Sequence, residues 1–216
     1  MLETTIDTNS AAVLVIDMQR KFLDSDSQIG VHPVSKQRAE HILLNARRVI
    51  DVARDKRIPV IFVRVSNIPG LTTKTRRKNP FFEFAAGKKV YKTDFIRRPD
   101  LSEEGTPHVQ IMPELAPKPD EIVLTKTGYS AFYGTNLEIV LRRMAIDTLL
   151  VIGVNTDSCV LSTAFDAHAR DYKVIVIEDC CGSMYGDDMH EFALRRIRVA
   201  LGWVATSEDI ISAVAK

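Results

Sequence analysis

Short apolar runs alternate with stretches of helical period almost from end to end of this chain, and that alternation restricts its fold more than any other feature. AAVLVI (11–16), VIFVRV (60–65), EIVLT (121–125), DTLLVIGV (147–154), KVIVIE (173–178) and WVAT (203–206) read as six strands, short and rich in β-branched residues. Residues 36–57 place Ala39, Ile42, Leu43, Ala46, Val49, Ile50 and Ala53 on one helical stripe. Further helices are predicted over 135–144, 157–171 (with Val160, Leu161, Ala164, Phe165, Ala167 and His168 along it), 187–201 and 207–215. The last is opened by a Ser or Thr cap. Strand, helix, strand, helix predicts an α/β fold: a three-layer αβα domain around a mostly parallel six-stranded sheet.

The length of 216 residues suits one domain over 1–216. Lys plus Arg number 29 against 28 Asp plus Glu, a net charge of +1 that argues against a nucleic-acid partner. No apolar run reaches the roughly 18–20 residues of a membrane span. The opening MLETTIDTNS has neither the basic nor the apolar region of a signal peptide. Three cysteines make no disulfide framework, so a reducing cytoplasm is expected. Residues 66–119 exceed a simple strand-to-helix connection and read as a long insertion loop. Within it, residues 70–100 hold nine Lys or Arg against three acids, a local +6. That charge reads first as a solvated insertion and second as a lid or an attractor of anionic substrate.

In open parallel sheets, ligands bind at the carboxyl ends of the strands. Asp17 follows the first strand, Lys126 the third, and Cys159 stands five residues beyond the fourth, where a helix begins. Singly, each has an ordinary reading: a cap, a surface lysine, a small buried hydrophobe. Jointly, a carboxylate, an ammonium and a thiol on one edge suit nucleophilic catalysis. A helix N-terminus and a nearby cation are expected to lower the thiol pKa, with Asp17 as general base and then general acid. Backbone N–H groups in the turn Asn155–Cys159 offer a site for a tetrahedral oxyanion. This chemistry calls for no cofactor.

VLVIDMQRKF (13–22), TKTGYSAFYGTNL (125–137) and GVNTDSCVLSTAFDA (153–167) resemble the motifs of the isochorismatase-like cysteine hydrolases, a family of Rossmann-type architecture. The resemblance covers nearly the whole chain. It is strongest toward the amidohydrolase branch of N-carbamoylsarcosine amidase, ureidoacrylate amidohydrolase and biuret hydrolase. It implies a triad of Asp17, Lys126 and Cys159, a cis Val154–Asn155 peptide, and an oxyanion hole of the Asn155 and Cys159 amides. It also implies a homodimer or homotetramer.

Isochorismatases proper generally lack the cysteine that is present here. Nicotinamidases carry an Asp-x-His metal motif after the second strand, where this chain reads VRVSNIPG (63–70). The five histidines (His32, His41, His108, His168 and His190) show no metal-ligand spacing, so no metal is expected. Gln19 and Asn155 are candidate polar contacts for an amide or ureido group. Phe22, Tyr129 and Phe132 read equally well as pocket walls or core. Cys180 and Cys181 read as packed free thiols rather than a strained vicinal disulfide. The expected activity is a metal-independent cysteine amidohydrolase, cleaving the C–N bond of a small amide or ureido substrate through a covalent intermediate. Its rivals are nicotinamidase-like aromatic amide hydrolysis, ether hydrolysis by Asp17 alone, and a non-catalytic binding module.

Overall fold

The computed structural model describes residues 4–24, 34–67 and 103–215. The strands are β1 (Ala11–Ile16), β2 (Val60–Val65), β3 (Ile122–Lys126), β4 (Thr148–Val154), β5 (Lys173–Gly182) and β6 (Trp203–Ala205). The helices are α1 (Arg20–Leu23), α2 (Lys36–Asp55), α3 (Leu137–Arg143), α4 (Leu161–His168), α5 (Asp187–Ala200) and α6 (Ser207–Val214). All six strands are parallel neighbours in the order β3-β2-β1-β4-β5-β6.

The apolar runs are continuous because the strands are buried on both faces. Along β1, Ala11, Val13 and Val15 enter a core built with Ile42, Ala46 and Ile50 of α2 and Ile210 of α6. Ala12, Leu14 and Ile16 enter the opposite core, built with Leu141 of α3, Ala164 of α4 and Ile197 of α5. Three layers result, α2 and α6 on one side and α3, α4 and α5 on the other. α6 starts with a reciprocal capping box between Thr206 and Asp209.

The strand order reverses between β1 and β4, the switch point where such sheets open a crevice. These two strands pair along their whole length, Ala11 with Thr148 through Ile16 with Gly153. Gly153 is required there. Its φ is +144°, and a Cβ would lie 2.1 Å from the Ile16 carbonyl oxygen.

Two elements differ from the sequence reading. β5 continues to Gly182, because Cys181 and Gly182 regain pairing with Gly153 and Val154 after a register shift. The helix expected over 157–171 divides into a π-helical turn, Thr156–Val160, followed by α4, with Phe165 and His168 turned to solvent. Most of the insertion, including the basic 70–100 stretch, lies outside the described residues, as does His32. Among the described residues no helix is long and apolar enough to cross a membrane.

Candidate active site

Asp17 terminates β1 in the left-handed region, φ 51°, a conformation that Asp adopts more readily than most residues. Its N–H donates to the Val63 carbonyl at 2.8 Å, which anchors the turn to β2. The turn drives the carboxylate inward, and Asp17 is fully buried. Lys126, the last residue of β3, is buried too and reaches across the end of β2. Its Nζ lies 2.7 Å from Asp17 Oδ2, and donates to Cys159 Sγ at 3.4 Å and to the Gly128 carbonyl at 2.9 Å. An ammonium has three protons. Two are donated, one to the sulfur and one to the loop that follows β3, while the charge lies against the base.

The electrostatics correct one expectation. Burial, and next the Asp17 carboxylate, push the Cys159 thiol up to about 12, although the Lys126 ammonium pulls it down. Sequence reasoning counted the cation and omitted the desolvation. Cys159 also stands fourth in the π turn rather than at the first position of a regular helix. Burial alone would lower Lys126, but Asp17 and Cys159 outweigh it and hold the ammonium above its usual range. Both shifts favour a protonated thiol and a charged lysine on either side of Asp17. Neither Asp17 oxygen accepts an aligned hydrogen bond from the described residues, so the ammonium is its charge partner and the carboxylate keeps capacity for a proton.

The turn bearing Cys159 is braced from two sides. Thr163 Oγ1 donates to the Cys159 carbonyl at 2.7 Å and accepts from Ala131 N–H at 2.9 Å, tying the nucleophile's turn to the loop after Lys126. Thr156 Oγ1 and His190 Nδ1 are 2.8 Å apart in the interior. Sequence reasoning missed Thr163, although a hydroxyl one helical turn beyond Cys159 is the signal that could have found it.

The Val154–Asn155 peptide is cis. The Asn155 carbonyl accepts from Ser158 N–H and Val160 N–H, both at 3.1 Å, and its side-chain Oδ1 accepts from Met184 N–H at 3.1 Å. That oxygen holds the segment after β5. Gln19 is a clearer correction. It is fully buried, its Nε2 donates to the carbonyls of Val65 and Val109 at 3.1 and 2.8 Å, and its Oε1 accepts from Val65 N–H at 2.9 Å. Both amide protons are spent, and Gln19 is a clamp joining the ends of β1 and β2 to residues 107–112.

The aromatic candidates separate. Phe22 packs on the α2-side core beneath the Lys21 ammonium, 5.0 Å from its ring centre. Phe132 packs in the opposite core against Tyr172, centroids 5.9 Å apart, with the Arg170 guanidinium over its ring. Phe132 is a buried core residue, Phe22 is half-buried at the core's edge, and Tyr129 is exposed. A groove of about 760 Å³ opens elsewhere, between α2 and α5 over the last residues of β5, and is lined by Arg38, His41, Cys181, Asp187 and His190 but by none of the three reactive residues. Among the described residues no three of His, Cys, Asp and Glu gather as metal ligands.

A family model for the isochorismatase domain matches residues 11–209. A ureidoacrylate amidohydrolase of Agrobacterium fabrum is 26% identical over 216 residues, covering 98% of this chain and 93% of its own. The crystal structure of a cysteine hydrolase from Pseudomonas syringae pv. phaseolicola superposes with a TM-score of 0.83 at 25% identity, over 100% of this chain and 97% of that one. N-carbamoylsarcosine amidase from Thermoplasma acidophilum follows with a TM-score of 0.69 at 29% identity, over 92% and 97% of the two chains.

Proposed function

From the premise that this chain belongs to the isochorismatase domain family, we propose that it is a metal-independent cysteine amidohydrolase acting on a small ureido (carbamoyl) compound. One observation carries the reading: a single buried ammonium contacts both a buried carboxylate and a buried sulfur. Such a trio has no use in a binding module. Ether hydrolysis needs the acid alone and leaves Cys159 unexplained. The similarity to ureidoacrylate amidohydrolases and to N-carbamoylsarcosine amidase supports the ureido class.

Because the resting thiol is protonated, it needs a base at the moment of attack. Asp17 takes the Sγ proton as sulfur adds to the carbonyl carbon, and Lys126 holds both partners within reach. The oxyanion is received by the amides of Asn155 and Cys159, as the family resemblance implies. The C–N bond then breaks, the proton on Asp17 passes to the departing nitrogen, and ammonia or an amine leaves. Asp17, again a carboxylate, removes a proton from water, which attacks the thioester or thiocarbamate; the C–S bond breaks and Asp17 returns that proton to Sγ, restoring the Cys159 thiol. Lys126 remains charged throughout.

Ammonia release from biuret-like, ureidoacrylate-like and N-carbamoyl amino acid substrates, compared with nicotinamide, tests the reading. The carbamoyl class should lead by at least ~100-fold in kcat/KM, or ~2.7 kcal/mol of differential transition-state binding. A preference for nicotinamide would reject the substrate class. Mass analysis of trapped enzyme should show an acyl or carbamoyl adduct on Cys159, and full turnover by Cys159→Ala would reject the mechanism.

A further inference from the structure

The turn that presents Cys159 begins at Thr156, directly after Asn155, whose amide the mechanism above gives to the oxyanion. Thr156 is fully buried, and its Oγ1 lies 2.8 Å from Nδ1 of His190. His190 stands in the first turn of α5, 3% exposed, on the same stripe as Ala193, Leu194 and Ile197. An apolar side chain would continue that stripe without the cost of burying ring nitrogens. What the imidazole adds is an acceptor for Thr156.

The direction of this hydrogen bond follows from counting protons. The Thr156 hydroxyl has one proton, and among the described residues its Oγ1 forms no other hydrogen bond. A proton on Nδ1 would be donated to Oγ1 and would strand the hydroxyl proton in the interior. With the proton on Nε2, Nδ1 accepts from the hydroxyl and both groups are satisfied. His190 also lines the groove between α2 and α5, where a proton on Nε2 has water to meet. Burial, and next the Arg38 guanidinium, hold the imidazole below its usual range, although Glu191 and Asp187 pull the other way. The ring is therefore neutral at neutral pH and able to accept.

The far end of the turn has its own brace, Thr163 on the Cys159 carbonyl. The near end depends on Thr156. Ser158 N–H and Val160 N–H both lean on the Asn155 carbonyl at 3.1 Å, so movement at Thr156 reaches Asn155 and Cys159 together. We propose that His190 is a positioning residue that, through Thr156, fixes the near end of the nucleophile's turn and keeps Sγ and the oxyanion donors in register. What the turn does with substrate rests on the amidohydrolase reading above; the hydrogen bond itself does not.

Kinetics on the full chain with a carbamoyl substrate test this, with circular dichroism and melting to confirm that each variant folds. His190→Leu should lower kcat ~30-fold or more and leave KM within about threefold, because misplacing the turn costs rate rather than affinity. His190→Asn puts Oδ1 where Nδ1 stood and should bring kcat back to within about threefold of wild type. Thr156→Val should match His190→Leu, and the double variant should be no more than about threefold worse than either single. Long-range proton–nitrogen NMR on unaltered protein should show His190 as the Nε2–H tautomer. An Nδ1–H tautomer overturns the proposal, whatever the variants do. So does a His190→Leu enzyme as fast as wild type, an Asn variant as slow as the Leu variant, or a double variant whose losses multiply. Wild-type protein inert toward every carbamoyl compound would reject the amidohydrolase reading instead. Amide exchange without substrate then decides the positioning role. Ser158 and Val160 N–H should exchange at least ~10-fold faster in His190→Leu than in His190→Asn, and equal rates overturn it.

Discussion

Cys159 and Cys181 lie toward the same carboxyl edge of one sheet, the first just beyond β4 and the second in β5. Both are buried, and both thiols are pushed up to about 12, chiefly by that burial. Their company differs. Cys159 Sγ has the Lys126 ammonium at 3.4 Å and the Asp17 carboxylate as a partner in its titration. Cys181 Sγ instead faces the Val151 carbonyl, 4.0 Å away, and feels Asp179, Glu178 and Arg38 as weaker influences than its burial, with no ammonium hydrogen-bonded to it among the described residues. Burial makes a thiol inert; what makes one of these a nucleophile is an ionised proton acceptor held next to it by a buried cation. Cys180 belongs to the α2-side core and Cys181 to the other, so the adjacent thiols serve opposite faces of the sheet and both are free.

The widest separation between the two cysteines is expected in turnover. Cys159→Ala and Asp17→Asn should each reduce kcat by about 10⁴-fold or more, because members of a catalytic unit are not individually dispensable. Cys181→Ala should leave kcat within about threefold and appear only as a stability loss of ~1–2 kcal/mol from the missing sulfur. Steady-state ammonia release and urea unfolding on the three variants measure both. A Cys181→Ala enzyme as inactive as Cys159→Ala would break the contrast.

Much of this contrast was legible in the sequence, and its errors have one source. The six strands and the placing of Asp17, Lys126 and Cys159 on one edge follow from local apolar runs and a rule of topology, both of which a linear reading can apply. What failed depended on three-dimensional surroundings. Gln19 resembles a substrate contact because it lies two residues beyond Asp17, but three backbone groups of β2 and the 107–112 segment converge there and take all its hydrogen bonds. The thiol's shift had the wrong sign because sequence displays charges and hides desolvation. The last strand turn, through Cys180 to Gly182, was lost because Glu178 and Asp179 interrupt the apolar run, although the backbone pairs beyond them.

Alkylation of the resting protein sharpens the comparison on a smaller scale. Removing the carboxylate removes a cause that raises the Cys159 thiol and leaves the ammonium facing sulfur. Asp17→Asn should therefore react with iodoacetamide at pH 8 at least ~10-fold faster than wild type, while being catalytically dead. Lys126→Met removes the cation that faces the sulfur among the described residues and should react about tenfold more slowly. Peptide mapping should find Cys181 unlabelled in every folded variant. Rates that moved in the same direction in both variants would mean that Asp17 and Lys126 act on the thiol through packing rather than charge.

The smallest effect is one in which the two cysteines should become indistinguishable. Each thiol sits at about 12 in the folded protein, against an ordinary 9.0. Above pH 9 the unfolded chain releases a proton that the folded chain retains, so the unfolded state binds fewer protons and stability falls. The contribution is fully present below pH 9 and is lost as pH rises toward 12, at about 1.4 kcal/mol per pH unit for each thiol. Cys159→Ala and Cys181→Ala should each flatten the pH dependence of unfolding free energy between pH 9 and 10.5 by that same slope. Alkaline groups that touch neither thiol contribute equally to all three proteins and cancel in the difference; Cys180 beside Cys181 and Lys126 beside Cys159 are followed separately. If Cys181→Ala flattened the slope and Cys159→Ala did not, Cys159 would already be a thiolate at neutral pH. The ammonium would then have won over burial and the carboxylate, and Asp17 would be needed only for the leaving group and for water.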